Sequence, residues 1–573
     1  MRSAIPQSLR PAAIRIEGQA VLFAIVLAAV AFLVGYPILL IVLNSFQVSL
    51  PGEEIALGLG NWRLALSEPG IRASIYNTFT ILVARTLISF PIAILIAWLI
   101  ARTDMPGRTW LEFMFWILYF LPTLPVTLGW ILVLDPDYGF LNGIWRTLFQ
   151  TSKGPFNIYS FWGIVWAHLA STTIAVKVIL LAPAFRNLDA TFEEASWSCG
   201  ASALKTLARI VVPVMTPAIM VVMTLAIIHG LQAFEIEMIL GTPIGLYVYS
   251  TKIYSLIQQE PPLFGPATAL STTSLLMILP FIILQRWLIG RRQFTTLTGR
   301  YQSHLTRLGV WRYPAFTFVF LVTAVLTLVP LGFLLAGTFM KVFGFFHIKD
   351  PWTLANWSRV LNDPIFLRSV SNTIVLGAGA SLLSLILFPM IAYFIVRSRF
   401  AARALLDFLS WLPIALPGIL VGIGLLWVFL GSPIFRPFYG TLFLLVLATS
   451  ITSMATSTNI IKSNILQIGS ELEDASRVSG ASSAQTYRRI VLPLIAPVLV
   501  LVAVMNFIHA AKDISSVALL ATASSRTVSL LQLDYIVGGE HESASVVAVL
   551  VIALTTGIAL LVRMFGLRPD KRE

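Results

Sequence analysis

Charge is scarce in this chain. Only 11% of its 573 residues are Asp, Glu, Lys or Arg, and 57% are hydrophobic. A soluble domain carries about 25% charged residues, so this sequence has too few to cover a water-facing surface. A bilayer is the solvent that fits, with each spanning helix needing about 20 mostly apolar residues. Cysteine is scarcer still: Cys199 is alone, which excludes an intrachain disulfide and any cysteine-rich metal site. The short alternating segments of a transmembrane barrel are missing. So is any G-x-x-x-x-G-K-[ST] loop that would cradle a nucleotide phosphate, and any H-E-x-x-H. The chain is therefore expected not to be an enzyme and to bind no cofactor of its own. No cluster of Tyr, His and carboxylate marks a metal site.

What is present is apolar sequence in long stretches. Twelve spans are expected at about 20–43, 74–100, 111–134, 161–183, 215–240, 266–289, 314–339, 370–396, 405–430, 441–461, 495–520 and 544–563. The first is longer than a signal-peptide core and lacks a small-residue cleavage site, so it reads as a retained helix. The net charge of +13 fits the positive-inside rule better than nucleic-acid binding. With the N-terminus inside, inner segments hold 25 of the 39 basic residues. Arg286, Arg291, Arg292, Arg300, Arg307 and Arg312 crowd between spans six and seven, and Arg563, Arg568, Lys571 and Arg572 close the chain. The expectation is an all-α polytopic membrane protein with both termini cytoplasmic. It would comprise a cytoplasmic segment (1–19), a first six-helix unit (20–289), a basic connector (290–313), a second unit (314–563) and a cytoplasmic tail (564–573), the two halves being related by a pseudo-two-fold axis.

The halves repeat. EEASWSCGASALKTLARIVVPVMTPAI at 193–219 matches EDASRVSGASSAQTYRRIVLPLIAPVL at 473–499 in 12 of 27 positions without a gap. Asn77-Thr78 echoes Asn372-Thr373 at the head of the second spans, and LPTLP at 121–125 echoes LPIALP at 412–417. Within the repeat, Glu193, Glu194 and Ala195 open a short polar helix, with its acids where the helix dipole favours them. Gly200 permits a tight bend, Arg209 stands at the membrane border, and Pro213 enters the next span. Glu473, Asp474, Ala475, Gly480, Arg489 and Pro493 reproduce the pattern. One such loop could be a mere connector. Two that match residue by residue point to a docking element.

The spacing from Glu194 through Gly200 to Ile210 and Pro213 resembles the EAA loop of permease subunits in type I ABC importers, and Asp474, Gly480, Ile490 and Pro493 follow it with Asp in place of Glu. The resemblance covers nearly the whole chain, as two permease units fused in tandem. It implies coupling loops at 186–214 and 463–494, each seating on one of two copies of a separate cytoplasmic ATP-binding subunit, which uses the ATP. It also implies a periplasmic or lipid-anchored solute-binding protein, a location in the bacterial inner membrane among its lipids, and no nucleic acid. The segments at 234–254 and 512–535 resemble those of fused permeases for ferric iron, a group similar to permeases for thiamine, phosphonates, polyamines and sugar phosphates. The rival class is a secondary transporter driven by an ion gradient, which has no need of paired docking loops.

Ionisable residues inside spans are functional suspects. His229 and His509 occupy equivalent positions, each 16 residues past its loop proline and about 24 Å along a helix. They either line the solute path or bond to neighbouring helices. Glu235 and Glu237 in the first half, and Lys512 and Asp513 in the second, are expected near the outer ends of their spans. There they could attract solute, form ion pairs or simply reach the interface. Arg85, deep in span two, needs a partner, for which Glu235 and Asp513 are the candidates. Lys177 is expected to snorkel to the surface.

Overall fold

The computed structural model describes residues 10–49, 54–291, 305–346 and 348–564. Most of the basic connector and the tail beyond Met564 lie outside the described residues, as does the start of the N-terminal segment. Among the described residues the fold is all-α: three isolated β-bridges occur and no sheet. Among the described residues, ten helices are long and apolar enough to cross a membrane, and two bent pairs bring the number to as many as 12.

The long elements of the first half are α1 (Gly18–Ser45) and α2 (Ile71–Arg102), then the bent pair α3 (Arg108–Phe120) and α4 (Thr123–Leu134). A short helix α5 (Phe140–Phe149) follows, then α6 (Phe161–Arg186). The repeated loop contributes α7 (Thr191–Ser198), leading into α8 (Ala203–Leu231). After α9 (Tyr249–Ile257), α10 (Phe264–Arg291) closes the half. The second half runs through α11 (Gly309–Thr338), α12 (Pro364–Arg397), α13 (Arg403–Trp411), α14 (Gly418–Gly431) and α15 (Leu442–Gln467). It finishes with α16 (Glu471–Val478), α17 (Ser483–Lys512), α18 (Val528–Val537) and α19 (His541–Met564).

Four expected spans change shape. Spans three and nine are not straight: α3 and α4 meet at 99°, and the helical segments Arg403–Ile414 and Gly418–Gly431 at 116°. Both breaks fall on the echoed proline motifs. Pro122 and Pro417 adopt extended backbone before α4 and α14, as expected where a proline removes an amide donor and clashes with the preceding turn. Span five ends at Leu231 rather than 240, and span eleven at Lys512 rather than 520. Non-helical chain and short turns follow each.

The compact units do not coincide with the sequence halves. One comprises Met1–Asn61, Arg368–Val528 and Ile558–Glu573; the other comprises Trp62–Leu367 and Ser529–Gly557. Each unit thus takes its first long helix from the other half. In the first unit, Gly424 of α14 lies against α1: a Cβ there would stand 2.9 Å from Pro37 Cβ and 3.2 Å from Ile41. In the second unit, Gly129 of α4 lies against α11, where a Cβ would collide with the Pro330 backbone. Small residues permit such close helix contact, which in lipid replaces the hydrophobic drive.

Candidate functional site

Both repeated loops are built from the same bonds. Helix α7 ends on Gly200, with φ +77°. The Gly200 N–H donates to Trp197 O at 2.8 Å and the Ala201 N–H to Ser196 O at 3.1 Å, the paired closure of a helix by a left-handed glycine. Helix α16 ends in the same way on Gly480, φ +83°, with Gly480 N to Arg477 O at 3.0 Å and Ala481 N to Ser476 O at 3.1 Å. A hydroxyl pair then crosses each turn: Ser196 with Thr206 at 2.8 Å, and Ser476 with Thr486 at 2.9 Å. A five-residue π-turn follows in each copy, Leu207–Val211 and Tyr487–Val491. Arg209 and Arg489 lie within these π-turns.

The first glutamate of each loop faces inward. Glu193 is 1% exposed and pairs with Arg102 at the end of α2, whose Nε donates to Oε2 at 3.0 Å while Nη1 donates to Leu188 O at 3.0 Å. Glu473 is 2% exposed and pairs with Arg397 at 2.7 Å, with Tyr393 Oη donating to its Oε2 at 3.2 Å. These two carboxylates anchor the turns to the C-terminal ends of α2 and α12 and are not part of the outer face. That face carries Glu194, Ala195, Gly200, Arg209 and Pro213, and in the second copy Asp474, Ala475, Gly480, Arg489 and Pro493, all exposed. It also exposes large apolar side chains that sequence reasoning passed over: Phe192 and Leu204 in the first loop, Leu472 and Val478 in the second.

Local detail separates the loops. Asp189 accepts from Thr191 N–H at 3.0 Å, which holds its carboxyl below the usual range; Gly469 stands at the corresponding place. Ser482 and Gln485 cap each other reciprocally, at 3.2 and 2.7 Å. Ser202 makes no such side-chain bond.

The Asn-Thr echo has a common task. Asn77 donates to Tyr247 O at 3.0 Å, and Thr78 Oγ1 accepts from Tyr249 N–H at 2.9 Å. Asn372 donates to Ser524 O and Arg526 O, each at 2.9 Å, and Thr373 Oγ1 accepts from Val528 N–H at 2.9 Å. In both halves the pair pins the segment that leaves the fifth long helix.

The polar interior differs. Arg85 does not pair with Glu235 or Asp513, as expected, but with His168, Nη1 to Nδ1 at 2.9 Å. His168 Nε2 in turn meets Glu237 Oε1 at 2.6 Å. A guanidinium can only donate, so Nδ1 accepts and the ring hydrogen sits on Nε2, facing the carboxylate. The imidazole between the two charges is therefore neutral. It sits where α6 breaks into a π-turn at Leu169–Thr173, with Ser171 in non-helical backbone. Glu237 is fully buried and opens another π-turn, Glu237–Gly241. Asp513 instead bonds within its own turn, to Ser515, to Ser516 N–H and to the Ser516 hydroxyl. Lys177 does not snorkel: it is buried, donates to Thr173 O at 3.1 Å and lies 5.1 Å over the Phe90 ring. Glu235 and Lys512 are half-buried.

The equivalent histidines also part company. His509 Nε2 bonds to Thr452 Oγ1 of α15 at 2.9 Å, whereas His229 Nδ1 meets Leu225 O of its own helix at 2.9 Å and keeps an exposed ring. His509 thus bonds across helices, and His229 within its own helix.

Compared with known families, the chain matches the binding-protein-dependent transport system inner membrane component over residues 89–293 and again over 386–571. The chain belongs to this family. As an inner membrane component it is a multi-pass membrane protein and a subunit of a transport system. Each match begins within α2 or α12, so the exchanged helices α1 and α11 lie outside both.

Among individual proteins, the "Ferric transport system permease protein FbpB" of Actinobacillus pleuropneumoniae is 24% identical over 74% of this chain, and the chain spans 60% of that relative's length. The "Probable ABC transporter permease protein y4fN" of Sinorhizobium fredii is 25% identical, with 87% and 88% covered. The "Fe(3+)-transport system permease protein FbpB 2" of Haemophilus influenzae is 22% identical, with 91% and 96% covered.

Proposed function

We propose that this inner membrane component is the permease of an ATP-driven importer, with two halves of the solute path in one chain and ferric iron as its cargo. The observation that carries the reading is the doubled loop. Two turns with the same glycine closure, hydroxyl pair, π-turn and buried ion pair support two docking sites for a separate ATP-binding subunit, one copy at each. Glu194, Gly200 and the exposed Phe192 and Leu204 form one docking face; Asp474, Gly480, Leu472 and Val478 form the other. The buried pairs Arg102–Glu193 and Arg397–Glu473 transmit motion of each loop to α2 and α12. The chain binds no cofactor; ATP is consumed by the partner.

Ferric iron is proposed because two of the aligned relatives carry that cargo in their names. Selection among solutes is assigned to the binding protein, which delivers its load from the side opposite the loops, with both termini on the loop side. His229, His509, Glu235, Glu237, Lys512, Asp513 and Arg85 are proposed to border or brace the path rather than to select.

The test is reconstitution of the chain in proteoliposomes with its ATP-binding subunit and binding protein. ATP-dependent uptake of ferric iron, stimulated by loaded binding protein, is the expected result. Uptake of thiamine, phosphonate, polyamine or sugar phosphate instead would change the cargo and keep the class. Uptake driven by an ion gradient without the ATP-binding subunit would overturn the class.

A further inference from the structure

Helix α5 is turned inside out relative to an amphipathic helix on a water-soluble protein. Its polar edge holds it to the rest of its unit. Asn142 is fully buried, donates to Asp135 O and Phe156 O at 2.8 Å each, and accepts from Phe156 N–H at 3.0 Å. On the other side Leu141, Ile144, Trp145, Leu148 and Phe149 form one apolar stripe at the i, i+3, i+4, i+7, i+8 spacing of a helix face. All five are exposed, Leu148 by 71% and Phe149 by 57%.

The position of this stripe says what covers it. The segment leaves α4 at Leu134 and rejoins at α6, and the Ile158 N–H donates to Leu134 O at 3.2 Å, so the excursion closes on itself beside two span ends. Helix α6 runs from here to the repeated loop, which puts α5 at the opposite end of that span. Trp162, in the first turn of α6, is 64% exposed, as aromatic side chains are where spans meet the headgroup layer. The apolar face of α5 continues this lipid-facing surface. Arg146 in its last turn and Lys153 in the return loop supply the cations that amphipathic interfacial helices set beside phosphate headgroups. The corresponding link in the second half, between Gly431 and Leu442, holds only a three-residue turn, Arg436–Phe438.

We propose that α5 is an interfacial helix, lying in the membrane surface at the end of the protein opposite the docking loops, with its Leu141–Phe149 stripe among lipid chains. It gives the first half a lateral membrane anchor that the second half lacks.

The experiment is site-directed spin labelling of the full chain in lipid nanodiscs. A Cys199→Ser background frees the chain of its one cysteine. Single cysteines then replace Leu141, Gly143, Ile144, Trp145, Thr147, Leu148 and Phe149 in turn, and collisions with oxygen and with a water-soluble nickel chelate are measured. Expected is a helical periodicity: severalfold greater oxygen than nickel accessibility at 141, 144, 145, 148 and 149, reversed at 143 and 147. If a label at Trp145 prevents insertion, the other sites still define the period. Water-like accessibility at all sites would overturn the proposal. So would a stripe open to nickel in nanodiscs and shielded only when binding protein is added, since its occupant would then be protein.

Discussion

Arg102 with Glu193 and Arg397 with Glu473 hold two turns in one way. Arg85, His168 and Glu237 have no such counterpart. In the registers set by Asn77/Asn372 and Glu193/Glu473, their positions are taken by Ala380, Ala448 and Val517. The halves have kept the two turns, which we propose meet a common partner, and lost equivalence in the membrane interior. A repeated surface is constrained by what docks on it. An interior is constrained only by its own packing and by the solute path, which one chain can build asymmetrically.

The largest expected effect tests the shared part. Arg102→Ala leaves a buried carboxylate unpaired and should cost about 3–5 kcal/mol of stability. Arg397→Ala should cost less, because Tyr393 still donates to Glu473 and Arg477 stands 3.8 Å away. Thermal unfolding in nanodiscs measures both; equal losses would break the distinction. Next comes the unshared part. Arg85→Leu should destabilise by about 3 kcal/mol, yet Arg85→Leu combined with Glu237→Leu should recover part of that loss, with a coupling of about 0.5–3 kcal/mol. Strict additivity of the two would show that no network joins them.

A smaller effect should be equal in the two loops. A Cβ at Gly200 or Gly480 meets nothing within 4 Å, so substitution is penalised only by the left-handed backbone. Val should cost about 1–3 kcal/mol and uncouple ATP hydrolysis by the partner, whereas Asn, which tolerates that conformation, should retain most coupling. Normal coupling in both Val variants would remove the docking assignment. Smallest is the cap: Ser482→Ala should cost about 1 kcal/mol and Ser202→Ala almost nothing, read from proteolysis of each turn.

Much of this was legible from residues alone. Apolar runs located the long helices, and the ungapped repeat located both turns to the residue. The echoed proline motifs were visible too, but not their effect, since a proline in a span can bend it slightly or break it by 99°. Glu193 and Glu194 are adjacent, so a helix must point them apart; which one turns inward depends on Arg102, 91 residues away, and no local pattern reports that. His168 was the clearest miss. It lies in the middle of an apolar run, and the rule that marked Arg85 as suspect applies equally to it. The choice of Glu237 over Glu235 rests on a π-turn that periodicity does not reveal. The exposed stripe of α5 was hidden because a ten-residue amphipathic segment reads the same whether its apolar face meets protein or lipid.

The exchange of first helices bears on how the chain is made. Helix α1 leaves the ribosome long before its packing partner α14, which begins only at Gly418. At roughly 5–20 residues per second, synthesis separates them by on the order of 20–80 s. During that interval the first helix must wait in the bilayer without the glycine surface it will meet, and α4 waits likewise for Pro330. A chain severed between Arg291 and Gly309 should therefore yield two fragments that are each unstable when expressed alone and that recover when co-expressed.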